Sequence, residues 1–164
     1  MTTTLFDFPD ENKDIVDTLS PAIAMRFDTM PPKHTAQHKG AFVIRGTEKI
    51  RFYTKASVRI EAENVVAQIV QQLPVGWLPL DGPLAVDVKF VYPYRKSEPM
   101  KRTIEGRELP HDKAPDLDNL AKGLLDAATT AQVWKDDAQL CDVHLHKRWG
   151  KAAYWTIKVW RVLA

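Results

Sequence analysis

The residues best suited to chemistry lie together in the sequence, between positions 113 and 139. Asp116, Asp118 and Lys122 occupy one seven-residue stretch, and the acidic pair Asp136-Asp137 follows after a short interval. Magnesium and similar hard cations bind a few carboxylate oxygens and leave their other positions to water and substrate phosphate. If the second acidic pair returns to the first, three aspartates converge beside a lysine. That combination predicts metal-assisted phosphodiester hydrolysis.

Each of these residues also has an ordinary structural explanation. A short acidic motif such as Asp116-x-Asp118 commonly caps a helix, because its carboxylates satisfy backbone N–H groups at the positive helix end. Lys122 alone would be an ordinary surface residue. The second pair leaves a further choice open, since neighbouring residues on an extended segment point to opposite sides and either Asp136 or Asp137 could face the site.

The first acids are predicted to stand on an amphipathic helix over residues 118–130. At about 100° per residue one half of this helix is apolar, formed by Leu120, Ala121, Leu124, Leu125, Ala127 and Ala128. The other half carries Asp118, Lys122 and Asp126 at intervals of four residues, a ladder of alternating charge that supports the helix. This helix and the strand predicted after the second acidic pair must position the site.

These residues carry a family resemblance. The sequence resembles the RusA-type Holliday-junction resolvases, crossover-junction endodeoxyribonucleases of bacteria and their prophages, in Pro115-Asp116-Leu117-Asp118-Asn119-Leu120, Lys122, Leu125-Asp126-Ala127 and Trp134-Lys135-Asp136-Asp137-Ala138-Gln139. The start and the end of the family pattern resemble Met30-Pro31-Pro32-Lys33 and Lys147-Arg148-Trp149-Gly150. The resemblance covers residues 22–162. Two features depart from it: about twenty extra residues before Pro21, and a long polar stretch between Tyr94 and Asp116.

The resemblance implies a site and an activity. Carried over residue by residue, it makes Asp116, Asp118 and Asp137 catalytic acids at a metal site and Lys122 the catalytic lysine. The family spacing selects Asp137 over Asp136. The implied cofactor is Mg²⁺, with Mn²⁺ as a substitute and no small-molecule cofactor. The implied activity is resolution of four-way branched DNA by paired symmetric nicks in recombination and repair. It would be carried out by a homodimer whose two-fold axis matches the junction.

Length and composition predict one globular domain. The chain has 164 residues, of which 45% are hydrophobic and 27% charged, which is enough to bury a core. We expect this domain to span residues 21–164, after an acidic, flexible extension over residues 1–20. The extension has five acidic residues and one lysine, a net charge of −4, so the remainder carries +6 and suits nucleic-acid binding.

The sequence predicts a cytoplasmic protein without a membrane segment. Its apolar runs are shorter than the roughly eighteen residues that a membrane span requires, and its first residues lack the features of a secretory signal. The single Cys141 suits a reducing compartment, and its place in a strand pattern predicts a core position. The sequence has no phosphate-loop glycine motif and no nucleophile elbow.

Basic residues outside the central motif are candidates for DNA binding. They lie in a loop after Pro32, in a mobile loop predicted over residues 95–113, and near the end of the sequence: Lys33, Lys39, Lys101, Arg102, Lys147 and Arg148. Such residues would contact phosphates, and ordinary solvated loops are the alternative. His144 and His146 share a strand face and could bind zinc. Because no Cys or His cluster matches them, a solvated face or phosphate contacts are favoured.

The remaining patterns predict the fold. Alternating apolar residues indicate strands over residues 23–27, 51–53, 84–92, 141–148 and 153–163, with a turn at Trp149-Gly150-Lys151. A second helix is predicted over residues 56–73, with an apolar stripe of Val58, Ala62, Val65, Ile69 and Leu73. This order predicts an α+β protein, a single domain in which helices pack on one side of a mixed β-sheet.

Two other functions fit the same residues. One is a non-catalytic protein that binds branched DNA, in which the acids only cap a helix and a turn. The other is a metal-dependent nuclease that acts on other DNA structures, such as flaps or single strands. The complete set of acids and lysine argues against the non-catalytic protein. Only a panel of substrates distinguishes a nuclease for other DNA structures from a junction resolvase.

Overall fold

The computed structural model describes residues 20–33, 39–43, 50–97 and 106–162, with backbone alone for 39–43 and 50–54. The described strands are β1 (Ile23–Phe27), β2 (Lys39–Val43), β3 (Ile50–Thr54), β4 (Leu84–Pro93), β5 (Leu109–Pro110), β6 (Leu140–Gly150) and β7 (Tyr154–Arg161). The helices are α1 (Ala56–Gln72) and α2 (Leu117–Thr130), and a short 3₁₀ helix spans Asp137–Gln139. The proposed extension, residues 1–20, lies outside this description except for Ser20 and stays a prediction.

One mixed sheet organises the domain. Its strand order is β1-β7-β4-β6-β5, with β4 and β6 parallel and the other neighbouring pairs antiparallel. Strands β2 and β3 form a separate antiparallel hairpin. The parallel pair arises because the chain leaves the end of β4, forms β5 and α2, and returns to begin β6 beside the start of β4. The predicted α+β class and mixed sheet are confirmed.

Both helices cover one face of this sheet. Alternate residues of β4 enter the core together with residues of β7 and of the helices, including Val86, Val88, Phe90, Trp155, Ile157, Val65, Ile69, Leu120 and Leu124. The other face of β4 carries the half-buried Asp87 and Lys89. The predicted apolar half of α2 is buried, with Leu125 partly buried. In α1 the stripe is correct except for Ala62, which is exposed.

Two local predictions were wrong. Cys141 is exposed and forms no disulfide. A register shift pairs Leu84 with Leu140 but Ala85 with Asp142, so Cys141 is the extra residue of a bulge. The predicted 95–113 loop contains strand β5, which pairs with β6.

Strand boundaries also differ from the sequence-based prediction in two places. Lys39 begins strand β2 instead of lying in a loop. Trp149 and Gly150 end strand β6, so the turn to β7 begins only at Lys151. Among the residues that the structure describes, no helix is long and apolar enough to cross a membrane.

Candidate active site

The start of α2 presents the first two acids. Asp116 precedes the helix with an extended backbone (φ −69°, ψ 138°), and its carboxylate makes no capping hydrogen bond. Asp118 lies in the first turn, where the positive end of the helix dipole stabilises a negative charge. Both side chains are exposed. The capping explanation therefore does not account for the Asp116 side chain, whose carboxylate is available for other partners.

The loop that leads into Asp116 is anchored to β6. Lys147 Nζ donates hydrogen bonds to the carbonyl oxygens of Lys113 (2.6 Å) and Pro115 (2.5 Å). The His111 backbone N–H donates to the Lys147 carbonyl (3.2 Å), and the Lys113 N–H donates to His111 Nδ1 (3.2 Å). His111 is 8% exposed and stacks on Trp149, with ring centroids 3.7 Å apart. These contacts fix the backbone immediately before the acids.

An open groove of about 590 Å³ lies beside these residues. Asp116 and Asp118 line it together with other polar and charged residues, namely His111, Asp112, Lys113, His146, Lys147 and Arg148. Burial, and then the charge of Lys147, lowers the pKa of His111 to about 4, so this imidazole is neutral near pH 7. Burial also lowers the pKa of Lys147, against the opposing influence of the Asp116 and Asp112 carboxylates. The groove thus gathers three carboxylates, a histidine that is neutral near pH 7 and a second histidine, and the basic residues Lys113, Lys147 and Arg148.

A second groove, of about 520 Å³, separates α1 from α2 and is chemically different. Its lining is dominated by apolar side chains such as Val65, Val66 and Leu124. Charged residues including Arg59 and Asp126 also contribute to the lining. Chemistry on a phosphodiester needs converging polar groups, so the groove at Asp116 is the better candidate site.

The second acidic segment is a locally capped turn. Asp136 caps the 3₁₀ helix by accepting a hydrogen bond from the Ala138 N–H (2.8 Å), and Gln139 Oε1 accepts in return from the Asp136 N–H (2.9 Å). Asp137 is exposed at the first position of this turn. Asp136 therefore has a structural role in this turn. The choice of Asp137 over Asp136 as the catalytic acid, which the family spacing makes, stays a prediction.

Asp137 lies far from the first two acids within one chain. Helix α2 has 14 residues and is about 21 Å long, and the chain after it is held at its far end. Trp134 is fully buried there and donates from Nε1 to Thr129 Oγ1 (2.7 Å). Strand β6 then rises through seven residue steps from Leu140 to Lys147, about 23 Å, before it reaches the loop at Asp116. Within one chain the turn therefore lies toward the end of α2 that is opposite Asp116, and convergence of the three aspartates stays a prediction.

The first two acids fit a hard cation by themselves. Mg²⁺ is commonly held by one or two carboxylates, with water and substrate phosphates completing its coordination. Asp116 and Asp118 supply two such carboxylates to one groove. The Asp116 carboxylate makes no capping hydrogen bond to α2. Within the described ranges, no three His, Cys, Asp or Glu side chains group closely enough to hold a metal ion. The three-aspartate metal site stays a prediction.

Comparison with known families assigns the chain. The family model described as endodeoxyribonuclease RusA matches residues 30–160, which is most of the sequence. The chain belongs to the RusA endodeoxyribonuclease family. No curated protein matches it significantly. The RusA match includes both acidic segments and Lys122, and it ends within β7.

Among the other predicted site residues of this RusA-family chain, Lys147 and Arg148 also line the groove. Lys122 is exposed on α2, outside the lining of the groove. Lys33 is exposed, and its backbone N–H donates to Glu61 (3.0 Å). Arg148 is half-buried and interacts electrostatically with Glu108. Lys101 and Arg102 lie outside the described residues, as does the side chain of Lys39. Binding of DNA by these residues stays a prediction.

The histidines of β6 are not assembled into a zinc site in the part of the RusA-family chain that the structure describes. His146 Nε2 lies 3.0 Å from Asp87 Oδ2 on the face of the sheet away from the helices. His144 is exposed. The solvated-face interpretation describes His144, whereas His146 has an acidic partner on the neighbouring strand.

Sequence reasoning missed Gln139 and His111, and it missed the anchoring role of Lys147, which was predicted only as a DNA-binding residue. Gln139 has a detectable signal, because Asp136-x-x-Gln139 is a capping-box pattern. Its side-chain amide also donates to the carbonyl oxygens of Gly82 (2.9 Å) and Leu80 (3.4 Å), which ties the turn to the start of β4. His111 and the anchoring contacts of Lys147 have no such signal, since both depend on pairing across the sheet.

Proposed function

We propose that the protein is a magnesium-dependent endodeoxyribonuclease that resolves Holliday junctions by paired symmetric nicks. The observation that carries this proposal is the match to the RusA family over residues 30–160, because it includes Asp116, Asp118, Lys122 and Asp137. The groove lined by Asp116 and Asp118 supports it independently, since two carboxylates on one open surface suit a cation that acts on a phosphodiester.

The described residues would divide the chemistry among them. Asp116 and Asp118 would hold the cation, which when bound supplies positive charge to the scissile phosphodiester. The anchored 111–115 loop keeps the backbone before Asp116 in place while DNA binds. Lys122, one turn beyond Asp118 on the same helix face, would add a positive charge that offsets the charge developing on the phosphate or assists the attacking water.

We further propose that two copies of the chain complete each site. The separation between Asp137 and the first two acids within one chain, about 20 Å along α2, supports a shared site in which Asp137 comes from the second copy. A two-fold homodimer then contains two equivalent sites. Two sites related by a two-fold axis match the two symmetric nicks that resolve a four-way junction.

Cleavage of defined DNA tests the activity. The pure protein would be incubated with labelled four-way junction, linear duplex, flap and single strand, each with Mg²⁺ and with EDTA. Paired symmetric nicks confined to the junction and dependent on Mg²⁺ are expected. Preferential cutting of flaps or single strands would instead favour the other nuclease function. Tight junction binding without any cutting would favour the non-catalytic one.

Mixing inactive variants tests the shared site. Asp116→Asn and Asp137→Asn proteins are each expected to be inactive, and we would co-refold them in equal amounts and assay nicking. If each site takes acids from two copies, a mixed dimer has one site with both substitutions and one intact site, so nicking of one strand returns. If each site lies within one chain, both sites of the mixed dimer carry a substitution and activity stays absent. A mixture of Asp116→Asn with Asp118→Asn is the matched control, because those two acids share a chain in either arrangement.

A further inference from the structure

Several of the predicted DNA-binding residues have described side chains. Among these, only the Lys147 side chain donates hydrogen bonds to backbone carbonyl groups. Its ammonium donates to the carbonyl oxygens of Lys113 (2.6 Å) and Pro115 (2.5 Å), and its side chain is half-buried in the groove that Asp116 and Asp118 line. A lysine that contacts phosphates is normally an exposed, mobile charge. The contacts of Lys147 therefore point to a different role.

The position of Lys147 explains why such a contact is useful at the site. Strand register places Lys147 beside Phe90, on the face of the sheet that the helices cover, whereas Arg148 falls beside Val91 on the opposite face. From that face the side chain reaches the carbonyl groups of Lys113 and Pro115, just before α2. The backbone of Lys147 contributes as well, since its carbonyl accepts from the His111 N–H (3.2 Å). Side chain and backbone together hold both ends of the 111–115 loop.

We propose that Lys147 is a positioning residue that fixes the Asp116 carboxylate for cation binding, and that it is not a phosphate contact. The inference rests on the proposed metal-dependent activity. Groups that orient metal ligands typically change metal affinity by about 10- to 100-fold when they are removed. Loss of the Lys147 charge alone would instead raise metal affinity, because removing a cation from the groove lessens its repulsion of a divalent metal ion.

Direct titration with Mn²⁺ tests this role without depending on catalysis. Binding would be followed in the absence of DNA by calorimetry and by paramagnetic broadening of the Asp116 and Asp118 amide signals. Lys147→Met keeps the aliphatic stem and removes the donors, and we expect it to weaken Mn²⁺ binding about tenfold. Lys113→Met is the matched control, because Lys113 lines the same groove with an exposed ammonium. Its loss is expected to leave Mn²⁺ affinity unchanged or slightly higher.

Further measurements separate the alternatives. Junction affinity in EDTA is expected to change less than about twofold in Lys147→Met, while the Mg²⁺ concentration for half-maximal cleavage rises about tenfold. Unchanged or tighter Mn²⁺ binding would overturn the proposal. So would a loss of junction affinity with a salt dependence flatter by about one unit, which is the signature of a phosphate contact.

A second variant covers the possibility that Lys147→Met does not fold. Lys147→Arg keeps the charge and hydrogen-bond donors in a planar, larger group, so Mn²⁺ binding is expected to weaken by a few fold while junction affinity stays at the wild-type value. Wild-type Mn²⁺ affinity in this variant, if Lys147→Met is unfolded, would also overturn the proposal. A wild-type protein that binds Mn²⁺ but cuts no DNA would remove the endonuclease proposal and leave the Lys147 result interpretable.

Discussion

The two acidic segments of this protein have similar sequences but are stabilised in different ways. In the Asp136-Asp137 segment the first carboxylate caps its own turn, and hydrogen bonds to Gln139 complete a local capping box. In the segment before α2, Asp116 occupies the capping position of a longer helix, yet its carboxylate makes no capping bond. Helix α2 therefore begins without using the side chain best placed to cap it.

This difference supports the proposed choice of acids for the chemistry. The turn at Asp136 is stabilised mainly from within, so its neighbour Asp137 is left exposed. The segment at Asp116 is stabilised from a distance, by Lys147 and by the buried His111, so that its acids do not have to stabilise it. An acid whose structural role has been taken over by other residues is a better candidate for a metal ligand than one that caps a turn.

The largest expected effect comes from neutralising the free acids. Asp116→Asn, Asp118→Asn and Asp137→Asn should each reduce nicking by about 10³-fold or more, because a neutral amide replaces an anionic ligand and several kcal/mol of charge stabilisation are lost. Junction affinity without metal should hold or rise, since repulsion of phosphate decreases. Single-turnover cleavage and filter binding measure the two quantities. Full activity in any one variant would remove that residue from the site.

A smaller loss is expected from Lys122→Met. The aliphatic stem is retained on the exposed face of α2, so folding should persist while single-turnover cleavage falls by about 10- to 100-fold. Equilibrium binding of the junction should change little. A binding defect that accounts for the whole loss would make Lys122 a phosphate contact. Unchanged cleavage would leave it as a charge partner on the helix surface, and the free acids would then act without it.

The distant support of Asp116 should be visible as a pH dependence of stability. The pKa of His111 is about 4 when folded and near 6.5 when unfolded, so the unfolded chain binds more protons between these values. The contribution of His111 to the free energy of unfolding should therefore fall as pH decreases from 6.5 to 4, by at most about 1.4 kcal/mol per unit. Urea unfolding across this pH range measures the free energy of unfolding of wild type and of His111→Phe. The difference between the two free energies should narrow toward low pH. Parallel curves would show that His111 does not titrate this way.

The smallest effect distinguishes the two members of the second acidic pair. Asp136→Ala removes the cap and should lower the free energy of unfolding by about 1 kcal/mol, while cleavage stays within about twofold of wild type. Asp137→Ala should show the reverse, with little change in stability and loss of cleavage. Urea unfolding and junction cleavage of both variants provide the comparison. Loss of cleavage in Asp136→Ala without loss of stability would exchange the two roles.

Much of the fold could be predicted because its signals are local. The α2 helix follows from apolar residues such as Leu120 and Leu124 at helical spacing, and β4 follows from alternation at Val86, Val88 and Phe90. Cys141 was misplaced because a strand pattern does not reveal a register shift. Strand β5 was missed because two residues, Leu109 and Pro110, carry no periodic signal and pair only when β6 is alongside.

The sequence by itself determined the chemistry that is available: two acidic segments, a lysine on an amphipathic helix, and a family pattern that the RusA match confirms. Only the tertiary structure decided how these groups are arranged. Residue spacing shows that Asp137 follows Asp118 by nineteen positions. The rigid helix α2 and the buried Trp134 at its far end hold Asp137 away from Asp118 within one chain. Likewise, Lys147 is one more basic residue in the sequence, and it becomes a support for Asp116 only because β6 returns along the sheet to the start of α2.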